Sequence, residues 1–189
     1  MEIDFKVYHT IIEQLSRSQD WMKGINNAIR KLGEYLDVSR VVIVEKRLDH
    51  ASYAKNTFAW SAEEEEARQD NSHEHLYCDA KFIDFINASA VFRCGDTNSL
   101  GNYRLFFRED VKAIYSFAIK DHGKFYGVIS LEDCKKARPE WDESKEILSF
   151  ITSIVSMIST FIIKERNYKL LLKTNKIANI FSEEYVNIF

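Results

Sequence analysis

The residues that most resemble a metal site lie in one short segment of this sequence. His73, His75, Cys78 and Asp79 all carry atoms that zinc or haem iron accepts as ligands. On a helix, the last three of these side chains would share one face, whereas His73 would lie off it. The spacing therefore favours a polar segment with a half-buried cysteine. We expect no metal and no cofactor here.

The cysteines offer little for nucleophilic chemistry. Cys78, Cys94 and Cys134 are odd in number and lack Cys-x-x-Cys spacing, which argues against a disulfide framework and fits a reducing cytosol. Cys134 directly follows Glu132 and Asp133, and neighbouring carboxylates disfavour the thiolate that a nucleophile needs. The sequence also lacks a glycine-rich phosphate loop and a supported Ser/His/Asp set. We predict that the chain is not an enzyme.

Composition narrows the class of protein further. The 189 residues, 46% hydrophobic, suffice for one compact domain and an extension. A net charge of -3 gives no pull toward nucleic acid. The N-terminus lacks a signal-peptide pattern. The longest apolar run, Ile147 to Ile163, is interrupted by serines and threonines, so it is not expected to span a membrane. We therefore expect a cytoplasmic protein that binds neither nucleic acid nor membrane.

Hydrophobic periodicity predicts an α+β fold with a central antiparallel sheet of five to six strands. An amphipathic helix over residues 6 to 17 is followed by a break, Ser18 to Asp20, that can cap a second helix from Trp21 to Leu36. Runs rich in β-branched and aromatic residues predict five strands, at Val38–Glu45, Ser52–Ser61, Ala90–Cys94, Val111–Lys120 and Phe125–Glu132. A long final helix begins at Glu140 or Asp142, just after Pro139.

The final helix carries two apolar stripes. Residues at seven-residue spacing form a seam that predicts a homodimer through the terminal helices, made of Ile147, Ile151, Ile154, Ile158, Phe161 and Tyr168. A parallel stripe of Leu148, Val155 and Ile162 can face the domain's own sheet. The alternative is a helix buried wholly in its own monomer. The seam continues past Lys164, where no sheet remains to cover it, and this favours pairing.

Four stretches together resemble a known family. They are the Trp21–Leu36 helix running into Val38–Glu45, the Asn-Thr-Phe-Ala-Trp strand at Asn56–Trp60, the Val111–Ile119 strand with Gly127–Cys134, and Arg138 and Trp141 before the long helix. The chain resembles a GAF domain, more closely those of bacterial signalling proteins that also carry GGDEF diguanylate cyclase domains. The resemblance covers roughly residues 20 to 167. One departure is Ala118, where many GAF domains have proline at the end of the fourth strand.

The resemblance implies a ligand site between one sheet face and the small helices over it, with the terminal helices on the other face. Strand alternation then sorts the residues, placing Gly127, Ile129 and Leu131 toward the helices. The expected ligand-binding residues are Phe58, Trp60, Phe82, Arg93, Phe106, Ser116, Tyr126 and Ser130. Arg93 could hold a carboxylate or phosphate, or else lie exposed or pair with Asp96 or Glu109. Side chains could instead fill the space.

The expected organisation is an N-terminal helix over residues 1–19, a GAF domain over 20–167, and a signalling helix over 168–189 that runs toward a further domain. The resemblance implies a regulatory sensor that binds a small molecule and relays the signal through dimeric helices to an output domain such as a diguanylate cyclase. The alternative is a ligand-free dimerisation and spacer module. Cyclic-nucleotide binding, methionine sulfoxide reduction and bilin attachment are not expected, because the residues those GAF families need are missing.

Overall fold

The computed structural model describes residues 4–46, 54–63, 80–106 and 108–186, with side chains over 4–46, 57–63, 84–101 and 108–177. In chain order the elements are α1 Phe5–Arg17, α2 Trp21–Leu36, β1 Arg40–Lys46, β2 Ala54–Ser61, α3 Ala80–Ser89, β3 Val91–Cys94, a 3-10 segment Thr97–Phe106, β4 Ala113–Asp121, β5 Lys124–Asp133, α4 Glu140–Glu143 and α5 Lys145–Val186. The strands form an antiparallel sheet in the order β2-β1-β5-β4-β3. The predicted fold class is confirmed.

Local chemistry sets the bounds of the first two helices. The carboxylate of Asp4 accepts a hydrogen bond from the Lys6 backbone at 2.8 Å, which caps α1. Asp20 accepts from the first turn of α2 in the same way, as the break in the sequence predicts. Asp37 ends α2 in a left-handed conformation, with φ 51°. The apolar face of α2 packs on β1 and β2, whereas α1 packs on α2 and on the long final helix.

The sheet has two faces with different partners. One face, the helix face, packs on α2 and α5 through residues such as Ile43, Phe117 and Ile129. The other, here called the open-side face, carries a smaller apolar cluster that includes Val42, Ile114 and Val128 together with Ile86 of α3. The split follows the period-2 alternation of a strand. The predicted direction of Gly127, Ile129 and Leu131 toward the helices agrees with this arrangement.

A network around Arg138 fixes the route from the sheet to the long helix. Arg138 Nε donates to the buried carboxylate of Asp133 at 2.6 Å, and its Nη2 donates to the Asp37 carbonyl. The guanidinium also lies 5.7 Å from the Trp141 ring centroid. The chain therefore leaves β5 in a defined direction, and α4 is followed by an extended Ser144 before α5 begins.

The predicted dimer seam is wrong over most of its length. Ile147, Ile151, Ile154 and Ile158 are buried in the core of their own chain. They share the inward side of α5 with Val155 and Ile162, so the two expected stripes are one wide apolar face. Of the remaining predicted seam residues, Phe161 is half-buried and Tyr168 is exposed. The apolar residues of a helix that packs on a sheet also recur about every seven residues, so this spacing does not require a partner helix.

Beyond the sheet, α5 exposes apolar side chains to solvent. Those at least 46% exposed are Tyr168, Leu170, Leu171, Leu172 and Ile177. By length and composition alone, the stretch Lys145–Ile177 is also long and apolar enough to cross a membrane, with a mean hydropathy of 1.9 over eighteen residues. Serine and threonine lower hydropathy too little to break the run. Core helices of soluble proteins meet the same criterion, and 44% of this window is buried in the domain.

Candidate functional site

Two serines meet at the centre of the open-side face. Ser116 on β4 and Ser130 on β5 are cross-strand partners, and their Oγ atoms lie 2.8 Å apart. Both side chains are buried, and the same row of the sheet continues through Val42 on one side and Phe92 on the other. The sequence correctly placed these two hydroxyls together on this face. Either hydroxyl can donate to the other, so the pair can present a donor or an acceptor.

An ionic cluster that the sequence did not predict lies next to the serine pair on the same face, two residues further along the strands. Arg40 on β1, only 2% exposed, pairs in register with Glu132 on β5. Its Nε donates to Glu132 Oε2 at 2.9 Å, and its Nη1 donates to Asp110 Oδ2 at 3.0 Å. Arg108 also donates to the Asp110 carboxylate, from Nε at 3.1 Å. The neighbours of Arg40 in sequence, Ser39 and Val41, give no reason to expect a buried arginine. Its burial is explained by its acidic partners, which are distant in the sequence.

The electrostatics of the cluster follow from this pairing. Burial of Asp110 opposes its ionisation, but hydrogen bonds and positive charge from Arg40 and Arg108 outweigh burial and hold its pKa at about 2. Burial also opposes the charge of Arg40, yet Glu132 and Asp110 raise the pKa of its guanidinium above the usual value. Asp110 and Arg40 are therefore both charged at neutral pH.

Two predicted pocket aromatics, Phe58 and Trp60, lie on the opposite side of the sheet. In the β1–β2 register Phe58 pairs with Ile43 and Trp60 with Val41, and all four side chains join the helix-face core. Phe58 also meets Trp21 edge to face at 5.6 Å. Their assignment to the ligand face is therefore wrong, because the register places them behind the sheet.

Tyr126 is displaced by a β-bulge. Ile119 pairs with Gly127 and Lys120 with Phe125, so Tyr126 is an extra residue between two paired ones. The bulge turns Tyr126 toward the helix face, contrary to simple alternation, and Phe125 packs with the open-side cluster instead.

Arg93 also differs from its predicted position. It is exposed on β3 opposite Tyr115, a helix-face residue. Burial raises the pKa of the Tyr115 hydroxyl, and a hydrogen bond with Arg93 offsets part of that rise. Arg93 therefore does not share a face with the serine pair. The side chains of Phe82 and Phe106 lie outside the described residues, so their predicted role stays a prediction.

Within the described ranges no three His, Cys, Asp or Glu side chains are grouped so as to hold a metal ion. The segment from His73 to Asp79 lies outside those ranges. Cys94 is buried, and burial raises the pKa of its thiol, which disfavours a reactive thiolate.

Comparison with known families decides the assignment. The sequence matches the family model of the GAF domain over residues 24–162. The chain belongs to the GAF domain family. The GAF domain is a regulatory sensor fold, and the sheet with its terminal helices on one face is the arrangement expected from the sequence.

Solved structures share the GAF fold at low sequence identity. The GAF domain from Acinetobacter phosphoenolpyruvate-protein phosphotransferase superposes with a TM-score of 0.66 at 9% identity, covering 89% of this chain and 98% of that chain. The GAF domain of the Coxiella burnetii phosphoenolpyruvate-protein phosphotransferase gives 0.63 at 12%, covering 88% and 96%. A phycocyanobilin-bound GAF domain from a cyanobacterial phytochrome gives 0.63 at 12%, covering 87% and 96%. No curated protein sequence matches the chain.

Arg166 and Lys169 of α5 contact the rest of the GAF domain at the point where the helix extends beyond the sheet. Arg166 Nη2 donates to the Lys46 carbonyl at 2.8 Å, and its guanidinium lies 4.8 Å from the Tyr126 ring centroid. Its Nη1 lies 3.6 Å from Glu45 Oε2, within ion-pair range but too far for a hydrogen bond. One turn later, Lys169 Nζ lies 4.0 Å from the Trp21 ring centroid. The β-bulge that turns Tyr126 toward the helix face thus provides one of the contacts to α5.

Proposed function

We propose that this GAF domain is a cytoplasmic sensor that binds a small molecule against the open-side face and relays binding through α5. The observation that carries the proposal is the buried Ser116–Ser130 pair. Two hydroxyls among apolar walls are what a small-molecule site uses to orient its ligand. If this face were only part of the hydrophobic core, apolar residues in place of Ser116 and Ser130 would stabilise the fold more, because burying a hydroxyl group is costly.

The relay uses the connection between sheet and helix. Arg166 contacts the ends of β1 and β5, the two strands that carry Arg40 and Ser130. A ligand with different affinities for two positions of these strands would shift the equilibrium between two positions of the helix. The proposed receiver is an output domain such as a diguanylate cyclase, in a homodimer.

The proposed dimer contact lies on the part of α5 that extends beyond the sheet. Ile163, Leu170 and Ile177 are seven residues apart; Ile163 is half-buried at the edge of the core, whereas Leu170 and Ile177 are exposed. Asn167 and Thr174 fall between them, and a polar residue in such a seam specifies register. Nearer the domain the outward side carries only small polar residues, Ser149, Ser153, Ser156 and Thr160, which let two helices approach closely.

Native mass spectrometry of the purified chain tests ligand and oligomeric state together. We expect a dimer carrying a co-purified small molecule. Ser116→Leu, which replaces the hydroxyl with a larger apolar side chain, should abolish ligand retention, whereas Ser116→Ala removes only the hydroxyl and should weaken it. Retention of the same mass in Ser116→Leu would show that the site lies elsewhere.

One observation favours the alternative of a ligand-free spacer module. Ile86 of α3 is fully buried and packs on the open-side cluster with Val42 and Val44, so α3 itself covers part of this face. A spacer predicts a ligand-free dimer by native mass spectrometry and no change in melting temperature with any metabolite tested.

A further inference from the structure

Asp110 is held by two arginines in the manner of a bound ligand. Arg40 contacts its carboxylate from Nη1 at 3.0 Å and from Nη2 at 3.4 Å. Arg108 contacts it from Nε and from Nη2, both at 3.1 Å. Each carboxylate oxygen therefore accepts one contact from each guanidinium. Such paired, planar donors are the arrangement that proteins use to bind carboxylate and phosphate groups.

The contact of Asp110 is the more exposed part of this cluster. Glu132, which is 2% exposed, accepts a hydrogen bond from Arg40 Nε inside the protein. Asp110 accepts from Nη1 of the same guanidinium. Its side chain is 37% exposed, whereas that of Arg40 is 2% exposed and that of Arg108 23%. The carboxylate is thus the outermost member of the cluster, and an anion from solvent would replace it without leaving Arg40 buried and unpaired.

The position of the cluster links it to the proposed ligand site. Arg40 lies two residues from Val42 on β1, and Val42 is the cross-strand partner of Ser130. Two residues along a strand correspond to about 7 Å. One molecule of metabolite size can therefore reach both the two arginines and the serine pair.

The backbone beside Asp110 is anchored independently of its carboxylate. Thr97 Oγ1 donates to the Val111 carbonyl at 2.6 Å, and the Lys112 backbone N–H donates to the Asp133 carbonyl at 2.7 Å. Rotation of the Asp110 side chain away from the arginines would leave both of these hydrogen bonds in place.

We propose that Arg40 and Arg108 form an oxyanion site that Asp110 occupies until a ligand carrying a carboxylate or phosphate group displaces it. The proposal rests on ligand binding at the open-side face and names the chemical class of the ligand. Asp110 acts as a tethered competitor, which sets a threshold concentration below which the site stays closed.

Titration of Asp110→Ala with inorganic phosphate, followed by melting temperature, tests the proposal. We expect half-maximal stabilisation at a phosphate concentration about tenfold lower than in the wild type, since one charged hydrogen-bonded competitor has been removed. Acetate in a parallel titration separates a carboxylate preference from a phosphate preference. The added substitution Arg108→Ala should abolish the gain.

Asp121→Ala is the matched control, because it removes one negative charge from the β4–β5 turn, where Asp121 pairs with exposed His122. Equal anion responses in Asp110→Ala and Asp121→Ala would overturn the proposal, as would a gain that survives Arg108→Ala. If Asp110→Ala does not fold, the near-isosteric Asp110→Asn serves in the same titration. A neutral co-purified ligand in the wild type, together with no anion effect, would refute this inference and leave the sensor function standing.

Discussion

Ile154→Ala distinguishes a core position on α5 from a dimer seam. Ile154 is 0% exposed and lies on the sheet side of the helix. The substitution deletes three carbon atoms, and the lost transfer free energy is about 2.4 kcal/mol at 0.8 kcal/mol per buried carbon. The cavity left behind adds to this, so we expect a loss of about 3.5 kcal/mol. For a domain of this size the loss lowers the melting temperature by roughly 7–14 °C.

The assay is thermal denaturation of variant and wild type over a wide range of protein concentration. A core residue destabilises each chain by itself, so the difference in melting temperature should stay constant as concentration rises. A seam residue would act through association, and the difference would shrink at high concentration. Ser156→Ala, an exposed change on the outward side of the same helix, is the control and should leave stability nearly unchanged or slightly raised.

Conversion of a dimer to a monomer by Ile154→Ala, with the monomer keeping wild-type stability, would place the sheet side of α5 at an interface between chains and refute its core position. A cost for Ser156→Ala as large as that for Ile154→Ala would show that the outward side is buried as well, and would equally contradict the prediction.

Three further outcomes are expected. Gly127→Ala would put a methyl group 2.2 Å from the Val44 carbonyl oxygen, so we expect a loss of about 3 kcal/mol in denaturant unfolding; wild-type stability would contradict the strand contact. The depressed pKa of Asp110, about 2 against an ordinary 3.8, stabilises the fold above about pH 4 and ceases to do so as the pH falls toward 2. After allowance for solvent exposure this is worth about 1 kcal/mol, so the stability gap between wild type and Asp110→Asn should close over that range in acid titration. Arg166→Met removes the contact with the Tyr126 ring and should cost about 1–2 kcal/mol, with faster amide exchange in the adjoining turns of α5; unchanged exchange would show that the contact does not hold the helix.

The fold was predictable because most of its determinants are local. Asp20 announces the start of α2, and the turn at Asp121–Lys124 places positive φ at His122 and Gly123, as a tight hairpin requires. Alternation sorted the middle of β4 and β5 correctly, which is why Ser116 and Ser130 were found together.

The candidate site was only partly predictable because its remaining parts depend on register and distant partners. The extra residue in β5 reversed the direction of Tyr126; the neighbouring Gly127 is the one local signal, since a glycine inside a strand often marks a bulge. Arg40 is buried by Glu132, 92 residues away, and no pattern in either strand announces that pair. Whether Ile154 and its neighbours are buried depends on how much of the surface of α5 the sheet covers. The spacing of apolar residues along the helix does not show how wide that covered surface is.

Because α5 is long, a small movement at the Arg166 contacts becomes a large movement at the far end of the helix. A helix of 42 residues extends about 63 Å, and roughly 28 Å of it lies beyond residue 167. A rigid rod pivoting at the Arg166 contacts acts as a lever, so a tilt of about 5° there would displace its far end by about 2.5 Å, half a helical turn. Strand movements too small to disturb the packing of the sheet would thus become large enough to change which side chains meet at the tip.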